Sequence, residues 1–261
     1  MTAPAARDYR GPVRLAAIGI TDVGRRRGHN EDALLVMPEN GLFAVADGLG
    51  GHASGEVASR MAVEELARAW ETADPGHDPG SAAGQEARLR EAIATANRAI
   101  HDRSRASGAP AGMGTTLVAG CFVEGGPLLL AHVGDSRAYL FRQGRLRRLT
   151  DDHSLLQDFI RQANPSPAEI EAFPHKNVIV RALGMREEVE VELSSLDVEE
   201  GDLLLLCCDG LHGMIPDERI EAILRAEGAE ILRADQALVD AANDAGGADN
   251  VTAVLVQVVE R

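Results

Sequence analysis

The chain carries several short apolar runs that end in an aspartate, and the most regular of them occupies residues 203–210. It reads Leu-Leu-Leu-Leu-Cys-Cys-Asp-Gly. Successive side chains of a strand point to opposite faces, and here both alternating sets are apolar. The run therefore predicts a strand that is covered on both faces and lies in the middle of the fold. Asp209 follows it directly, so its carboxylate is expected at the rim of a sheet.

The same pattern recurs elsewhere along the chain. The other copies are 42–48, which ends in Asp47-Gly48; 128–135, which ends in Gly134-Asp135; and 251–259, which Asp249-Asn250 opens in the reverse order. If these ends converge, the repulsion between their carboxylates is costly unless a cation joins them. The alternative is that the Asp-Gly pairs are hairpin turns, for which this dipeptide is favoured.

Helical periodicity follows each group of strand-like runs. Strands are predicted at 13–21, 33–37, 42–46, 115–123, 128–133, 138–142, 146–149, 189–196, 203–208 and 251–259, and helices around 58–72, 89–100, 217–226 and 231–245. The strands form hairpins and meanders, without a regular strand-helix-strand alternation. We therefore expect an α+β fold in which two packed, mainly antiparallel sheets are flanked by helices.

The pattern predicts a single domain over residues 13–261, preceded by a disordered tail at 1–12. Within the domain, 152–181 interrupts the succession of strands with two short helical stretches, which Asn-Pro-Ser-Pro separates. An irregular insert of this length is typical of a lid or a substrate loop. We treat 152–181 as a flap.

Composition narrows the class of protein. The 261 residues are 45% hydrophobic and 26% charged, and the net charge is −15. An acidic chain of this kind disfavours a nucleic-acid surface, which needs basic patches. No apolar run reaches the roughly 20 residues of a membrane span, and the first residues lack the apolar centre of a signal peptide.

The three cysteines lie in apolar runs and are expected to be buried, reduced thiols. We expect a cytoplasmic protein.

The candidate ligands are oxygen atoms, without clustered histidines or thiolates. Such a set indicates magnesium or manganese rather than zinc. Two of these ions can hold a water between them, lower its pKa and direct it at a phosphoryl group. The run Arg25-Arg26-Arg27 is by default a solvated basic stretch. Beside Glu31 and Asp32, however, a guanidinium fits phosphate oxygens, and Arg27 is the preferred candidate.

With these residues in place, the chain resembles the bacterial-type members of the protein phosphatase 2C family, which are metal-dependent protein serine/threonine phosphatases. The resemblance covers about residues 14–259. Its motifs, in the family's order, are 27–32 (Arg-Gly-His-Asn-Glu-Asp), 47–52 (Asp-Gly-Leu-Gly-Gly-His), 114–116 (Gly-Thr-Thr), 134–137 (Gly-Asp-Ser-Arg), 209–210 (Asp-Gly) and 249–252 (Asp-Asn-Val-Thr).

The resemblance implies a four-layer αββα sandwich with two manganese or magnesium ions at one end. It implies the following roles: Asp47 bridges the ions, the Gly48 carbonyl binds one, Asp209 and Asp249 hold the other, Asp135 with Asp209 holds a weaker third ion, Glu31, Asp32 and Asn250 act through metal-bound waters, and Arg27 clamps the substrate phosphate.

The implied reaction is in-line attack of a metal-activated water on phosphoserine or phosphothreonine in a protein, without a phosphoenzyme. Serine/threonine kinases are then the opposing enzymes. Two rivals are a catalytically silent binding protein on the same fold and a phosphatase of small phosphomonoesters. The complete carboxylate set disfavours the silent protein.

The chain departs from the family at two positions. Leu49 stands where some eukaryotic members carry a histidine that is proposed as the general acid, so the acid is unassigned and a metal-bound water is the first choice. The middle of the flap, 163–167, lacks a glycine that is often found there. Substrate preference is therefore the property that transfers least well from the family.

Overall fold

The computed structural model of the chain describes residues 14–50, 53–72, 81–106 and 112–260. The tail expected at residues 1–12 lies outside the described residues. In the described part, no helix has both the length and the apolar character that a membrane crossing requires.

The strands form two antiparallel sheets. Their bounds are β1 Arg14–Asp22, β2 Asp32–Met37, β3 Leu42–Leu49, β4 Gly114–Thr115, β5 Leu117–Phe122, β6 Leu128–Val133, β7 Arg137–Arg142, β8 Arg145–Arg148, β9 Glu192–Leu196, β10 Leu203–Cys207 and β11 Val251–Glu260. The first sheet has the order β1-β11-β10-β7-β8, and the second has the order β2-β3-β5-β6-β9 with β4 against the end of β3.

The helices lie outside the sheets. Their bounds are α1 Ala53–Glu71, α2 Ala82–Arg105, α3 Leu155–Ala163, α4 Pro167–Ala172, α5 Asp209–His212, α6 Asp217–Glu227 and α7 Ile231–Asp244. Helices α1 and α2 cover the second sheet, and α6 and α7 cover the first. A third apolar cluster fills the space between the sheets. The predicted four-layer αββα architecture is therefore confirmed.

Strand β10 shows why the sequence folds in this way. Leu203, Leu205 and Cys207 pack toward α6 and α7, while Leu204 and Leu206 pack between the sheets. All five are almost completely buried. Burying both faces anchors β10 in the centre of its sheet and leaves its end at the rim, where Asp209 begins α5.

Neither Asp-Gly pair is a hairpin turn. Asp47 and Gly48 lie inside β3, and Asp209 and Gly210 form the start of α5. The strand predicted at 115–123 is interrupted at Thr116, whose hydroxyl accepts a hydrogen bond of 3.0 Å from the backbone N–H of Asp47. The interruption thus fixes the backbone at Asp47. The strand predicted from residue 189 begins only at residue 192.

The segment 152–181 contains both predicted helical stretches, α3 and α4. Ser154 caps α3, Asn164 ends it in the left-handed conformation, and Ser166 forms a capping box with Glu169. At its base the segment closes on itself, because Leu155 N–H donates to the Val178 carbonyl at 2.9 Å. The two ends of the segment therefore lie next to each other.

Candidate metal centre

Asp32 and Asp47 face each other directly across the β2–β3 pair. Their carboxyl oxygens and the Cys208 sulfur all lie within 4.8 Å of one another. Like charges in directly opposed positions of a sheet destabilise it. The pair is therefore placed where a cation relieves a repulsion that the strand register imposes.

Asp209 and Asp249 reach the same rim from the other sheet. The charges of Asp209 and Asp249 both act on the carboxyl of Asp47. A β-carbon on Gly210 would overlap the carbonyl oxygen of Asn250, so the start of α5 and the start of β11 are in close backbone contact. Only glycine permits this approach, and it brings the two aspartates together.

The electrostatics of this rim follow from burial and crowding. Burial, followed by the neighbouring carboxylates of Asp32, Asp209, Asp135 and Asp249, raises the pKa of Asp47 well above its ordinary value. Burial and the charges of Asp209 and Asp249 raise the pKa of Asp32 to about 7, although hydrogen bonds to its carboxylate oppose the shift. The pKa of Asp209 is also raised, mainly by burial and then by Asp249.

Asp135 supplies the clearest sign of an incomplete site. It follows β6 and is 8% exposed. Its Oδ1 atom is buried without a hydrogen-bond partner among the described residues. Burial and the charges of Asp209 and Asp152 raise its pKa to about 7. A buried carboxylate oxygen without a donor is costly, and a hard cation satisfies it. The donor set therefore fits manganese or magnesium.

Gly48 and Glu31 are held by close backbone packing. The Gly48 N–H donates to the Glu31 carbonyl at 3.2 Å. A β-carbon on Gly48 would overlap the Gly55 carbonyl oxygen, and one on Gly55 would overlap the Glu31 carboxylate. The two glycines allow the start of α1 to press against β3, which brings the Glu31 side chain to the site.

Asn250 is buried and ties the loop before β2 to β11. Its Oδ1 accepts from the Glu31 N–H at 2.8 Å, and its Nδ2 donates to the carbonyls of Val23 and His29, each at 3.0 Å. These bonds position Glu31 directly. The predicted action of Asn250 through a metal-bound water stays a prediction.

Arg27 lies at the same rim, in the loop between β1 and β2. Its Nη2 lies 2.6 Å from Oδ2 of Asp249. The two side chains are 49% and 36% exposed, so this ion pair faces solvent. The hydrogen bond to Asp249 raises the pKa of the guanidinium, which is thus a permanent positive charge beside the carboxylates.

A cavity of about 350 Å³ opens beside these residues. Asp135, Asp209 and Asp249 form its acidic wall. The segment 152–181 contributes Ser154 and Lys176 on another side. The flap predicted from the sequence thus borders the acidic rim.

A second cluster, His132, His153 and Glu192, does not have the chemistry of a metal site. Nδ1 of His153 accepts a hydrogen bond from the Gly134 N–H at 3.0 Å. Its proton is therefore on Nε2, which lies 3.2 Å from a Glu192 oxygen. This tautomer leaves His153 no lone pair for a metal. Burial lowers the pKa of both histidines, which favours this neutral form.

The structure brings every predicted site residue to one rim, whereas the roles assigned to them stay predictions. Sequence reasoning missed the groups that orient them, namely Thr116, Cys208 and Thr252. Thr116 and Thr252 lie within the motifs, but the sequence does not indicate which group the hydroxyl of a threonine in a strand will hydrogen-bond. Cys208 is buried and reduced as expected, yet its thiol also takes part in the site, because it donates to the Asn250 carbonyl at 3.5 Å and accepts from the Thr252 N–H at 3.1 Å.

Comparison with known proteins agrees with this geometry. The protein phosphatase 2C family matches residues 24–243. The serine/threonine phosphatase stp of Listeria monocytogenes is 39% identical over 240 residues, which cover 91% of this chain and 93% of that protein. The protein phosphatase PhpP of Streptococcus pneumoniae is 35% identical over 248 residues, which cover 92% and 96%.

Solved structures give the same result. The crystal structure of the Mycobacterium tuberculosis serine/threonine phosphatase PstP/Ppp matches with a TM-score of 0.84 and 36% identity, covering 95% of this chain and 100% of that one. The catalytic domain of PstP in complex with two manganese ions matches with a TM-score of 0.79 and 36% identity, covering 95% and 99%. By its sequence, its fold and its cluster of aspartates, this chain belongs to the protein phosphatase 2C family.

Proposed function

We propose that this chain hydrolyses phosphoserine and phosphothreonine monoesters in proteins and that it requires manganese or magnesium ions. The observation that carries the proposal is the convergence of Asp47, Asp135 and Asp209 with Arg27 at one rim. Carboxylates with raised pKa values offer cation sites, and the guanidinium beside them offers a phosphate site. The phosphatase names and the manganese complex among the relatives support it.

In this proposal Asp47, the Gly48 carbonyl, Asp209 and Asp249 would hold two manganese or magnesium ions. When bound, such ions would supply a nucleophilic water of lowered pKa and would neutralise charge on the phosphoryl oxygens. Glu31, Asp32 and Asn250 orient the ligand shell. Asp135, whose Oδ1 has no partner among the described residues, is the proposed ligand of a third ion together with Asp209.

Arg27 acts on the substrate. Its exposed guanidinium borders the site without being enclosed, so it can bind two phosphate oxygens and hold the phosphorus in line with the attacking water. The leaving seryl or threonyl oxygen needs a proton. Since Leu49 carries no titratable group, we assign that proton to a water in the site.

The wider setting is also part of the proposal. We treat the unit 13–261 as one catalytic domain whose flap, 152–181, selects the protein substrate. A protein that removes phosphate from serine and threonine opposes serine/threonine kinases. The cytoplasmic location expected from the sequence stays a prediction.

The test is phosphate release from a phosphothreonine peptide, measured for the native chain and Asp209→Asn with manganese, with magnesium and with a chelator. We expect release that depends on the metal and that Asp209→Asn abolishes. The matched control is Asp244→Asn, an exposed aspartate at the end of α7 whose change leaves release intact. A folded native chain that releases no phosphate with either metal contradicts the proposal and favours the silent binding protein.

The rival substrate class needs a second measurement. The kcat/KM for the phosphopeptide is compared with that for a sugar phosphate of similar charge. A protein phosphatase favours the peptide, because residues of the flap border the cavity and offer contacts to the polypeptide around the phosphorylated residue. Faster turnover of the sugar phosphate contradicts the protein substrate while leaving the metal-dependent chemistry in place.

A further inference from the structure

A chain of hydrogen bonds links the loop that carries Arg27 to the carboxylate of Asp32. Asn30 Nδ2 lies 2.7 Å from Thr21 Oγ1, and Thr21 Oγ1 lies 2.7 Å from Thr252 Oγ1. Thr252 Oγ1 lies 2.6 Å from Oδ2 of Asp32. A backbone hydrogen bond also joins the two ends of this chain, because the Asp32 N–H donates to Asn30 Oδ1 at 3.0 Å.

The direction of this relay is set by its two ends. The Asn30 amide nitrogen can only donate, and an ionised Asp32 carboxylate can only accept. Thr252 therefore gives its single proton to Asp32. Thr21 accepts from Asn30 and gives its own proton to Thr252. Within this chain of bonds, each hydroxyl proton thus has one acceptor while Asp32 is ionised, which is the form that a cation favours.

The relay also joins the two sheets. Thr21 and Thr252 are partners in the β1–β11 pair of the first sheet. Asp32 belongs to β2 of the second sheet. Thr252 is completely buried, so its bond to Asp32 is shielded from competing water. A charge-assisted hydrogen bond in such a place holds a carboxylate more firmly than one in solvent.

We propose that Thr252 and, through it, Thr21 are positioning residues that hold the Asp32 carboxylate in the orientation needed at the metal centre. This inference rests on the proposed metal-dependent function. Its chemical basis is that groups bonded to a ligand shell fix the orientation of that shell, and that their loss costs about 10–100-fold in metal affinity. The same relay holds Asn30, and therefore the loop from Arg27 to Asp32, in register with the site.

The test is Mn²⁺ affinity, measured by calorimetry on the full chain after treatment with a chelator and its removal. Thr252→Val keeps the shape of the side chain and removes the hydroxyl, and we expect it to weaken Mn²⁺ binding about 10–100-fold. Thr252→Ser restores the hydroxyl and should bind within a few-fold of the native chain. Thr21→Val leaves the bond to Asp32 but frees Thr252 to turn, so it weakens binding by a smaller factor.

Thr150→Val is the matched control. Thr150 is also buried and accepts a hydrogen bond from the Ala138 N–H at 3.1 Å, but among the described residues no hydrogen bond joins its hydroxyl to the aspartate cluster. Thr150→Val should lower the melting temperature without changing Mn²⁺ affinity.

Two results overturn the inference: Thr252→Val binds Mn²⁺ as tightly as the native chain, or Thr150→Val weakens binding to the same extent. If Thr252→Val does not fold, Thr21→Val decides, and unchanged Mn²⁺ affinity in that variant contradicts the relay. A native chain that binds no Mn²⁺ contradicts the proposed function itself. This separates failure of the relay from failure of the metal centre.

Discussion

Nη2 of Arg27 lies 2.6 Å from Oδ2 of Asp249, although the two residues are 222 positions apart in the chain. The contact joins the loop before β2 to the start of β11. It places the candidate phosphate clamp and a candidate metal ligand within one hydrogen bond of each other. Substrate and metal are therefore expected to share neighbouring positions at this rim.

Arg27→Lys should lower kcat/KM for a phosphopeptide. Lysine keeps the charge but lacks the planar fork that matches two phosphate oxygens. Loss of one charge-assisted hydrogen bond costs about 1.5–3 kcal/mol, which corresponds to roughly a 10–100-fold decrease. Steady-state kinetics at saturating Mn²⁺ measure it. Arg26→Lys, at the exposed neighbouring position, is the control. Equal losses in the two variants contradict a specific role for Arg27.

Asp209→Asn should stabilise the metal-free protein while it abolishes activity. Asp209 is a buried member of the aspartate cluster, and burial and Asp249 raise its pKa. A neutral amide of the same shape removes part of the repulsion. Thermal unfolding in chelator should show a higher melting temperature, by roughly 2–4 °C for each kcal/mol gained. A lower melting temperature than that of the native chain contradicts a repulsive cluster.

The rim itself is predictable from the sequence because β10 is apolar on both faces. Such a strand can lie only between two packed layers, so the residue after it must emerge at an edge. The same reasoning places Asp135, which follows β6, whereas Asp47 lies inside β3, and it fails for Thr252. A threonine in a strand reads as ordinary β-forming sequence. Its partner Asp32 lies in the other sheet. The hydrophobic pattern of either strand alone does not predict how one sheet packs on the other.

The break in the strand at Thr116 escaped prediction for a similar reason. The sequence predicts one continuous strand over 115–123, and all of these residues are buried. The strand divides because β3 pairs with β5 up to Val45 and with β4 from Gly48. The break is thus caused by the neighbouring strand β3, which turns Asp47 toward the site. The sequence of 115–123 alone carries no information about that neighbour.

Gly210→Ala should destabilise the protein and abolish Mn²⁺ binding. The new β-carbon overlaps the Asn250 carbonyl oxygen, a backbone atom that has little freedom to move. Overpacking of this kind costs about 1–3 kcal/mol or more. It also displaces Asp249 from Asp209. Chemical denaturation and Mn²⁺ calorimetry measure the two effects.

Gly28→Ala is the control for this substitution, because a β-carbon at Gly28 meets no atom of the described residues within 4 Å. It should leave both the free energy of unfolding and Mn²⁺ affinity close to those of the native chain. If Gly210→Ala behaves in the same way, the close contact between α5 and β11 is not needed for the site.

Asp235 predicts a pH dependence of stability that is independent of the metal centre. It lies on α7 and is completely buried. Burial raises the pKa of its carboxyl well above the ordinary value of 3.8, and the backbone of Ile20 offsets only part of this shift. A raised pKa means that the folded protein holds a proton that the unfolded chain has already lost. Stability associated with Asp235 therefore falls as the pH rises above about 4.

Asp235→Asn removes this ionisation, so its effect on the free energy of unfolding should grow with pH. Near pH 3 the variant and the native chain should differ little, because the carboxyl is then mostly protonated in both the folded and the unfolded state. At pH 7–8 the variant should be the more stable one. Urea denaturation in chelator across this range measures the difference. Asp240→Asn, an exposed change on the same helix, should show no such trend. A difference between Asp235→Asn and the native chain that is constant with pH contradicts a raised pKa at Asp235.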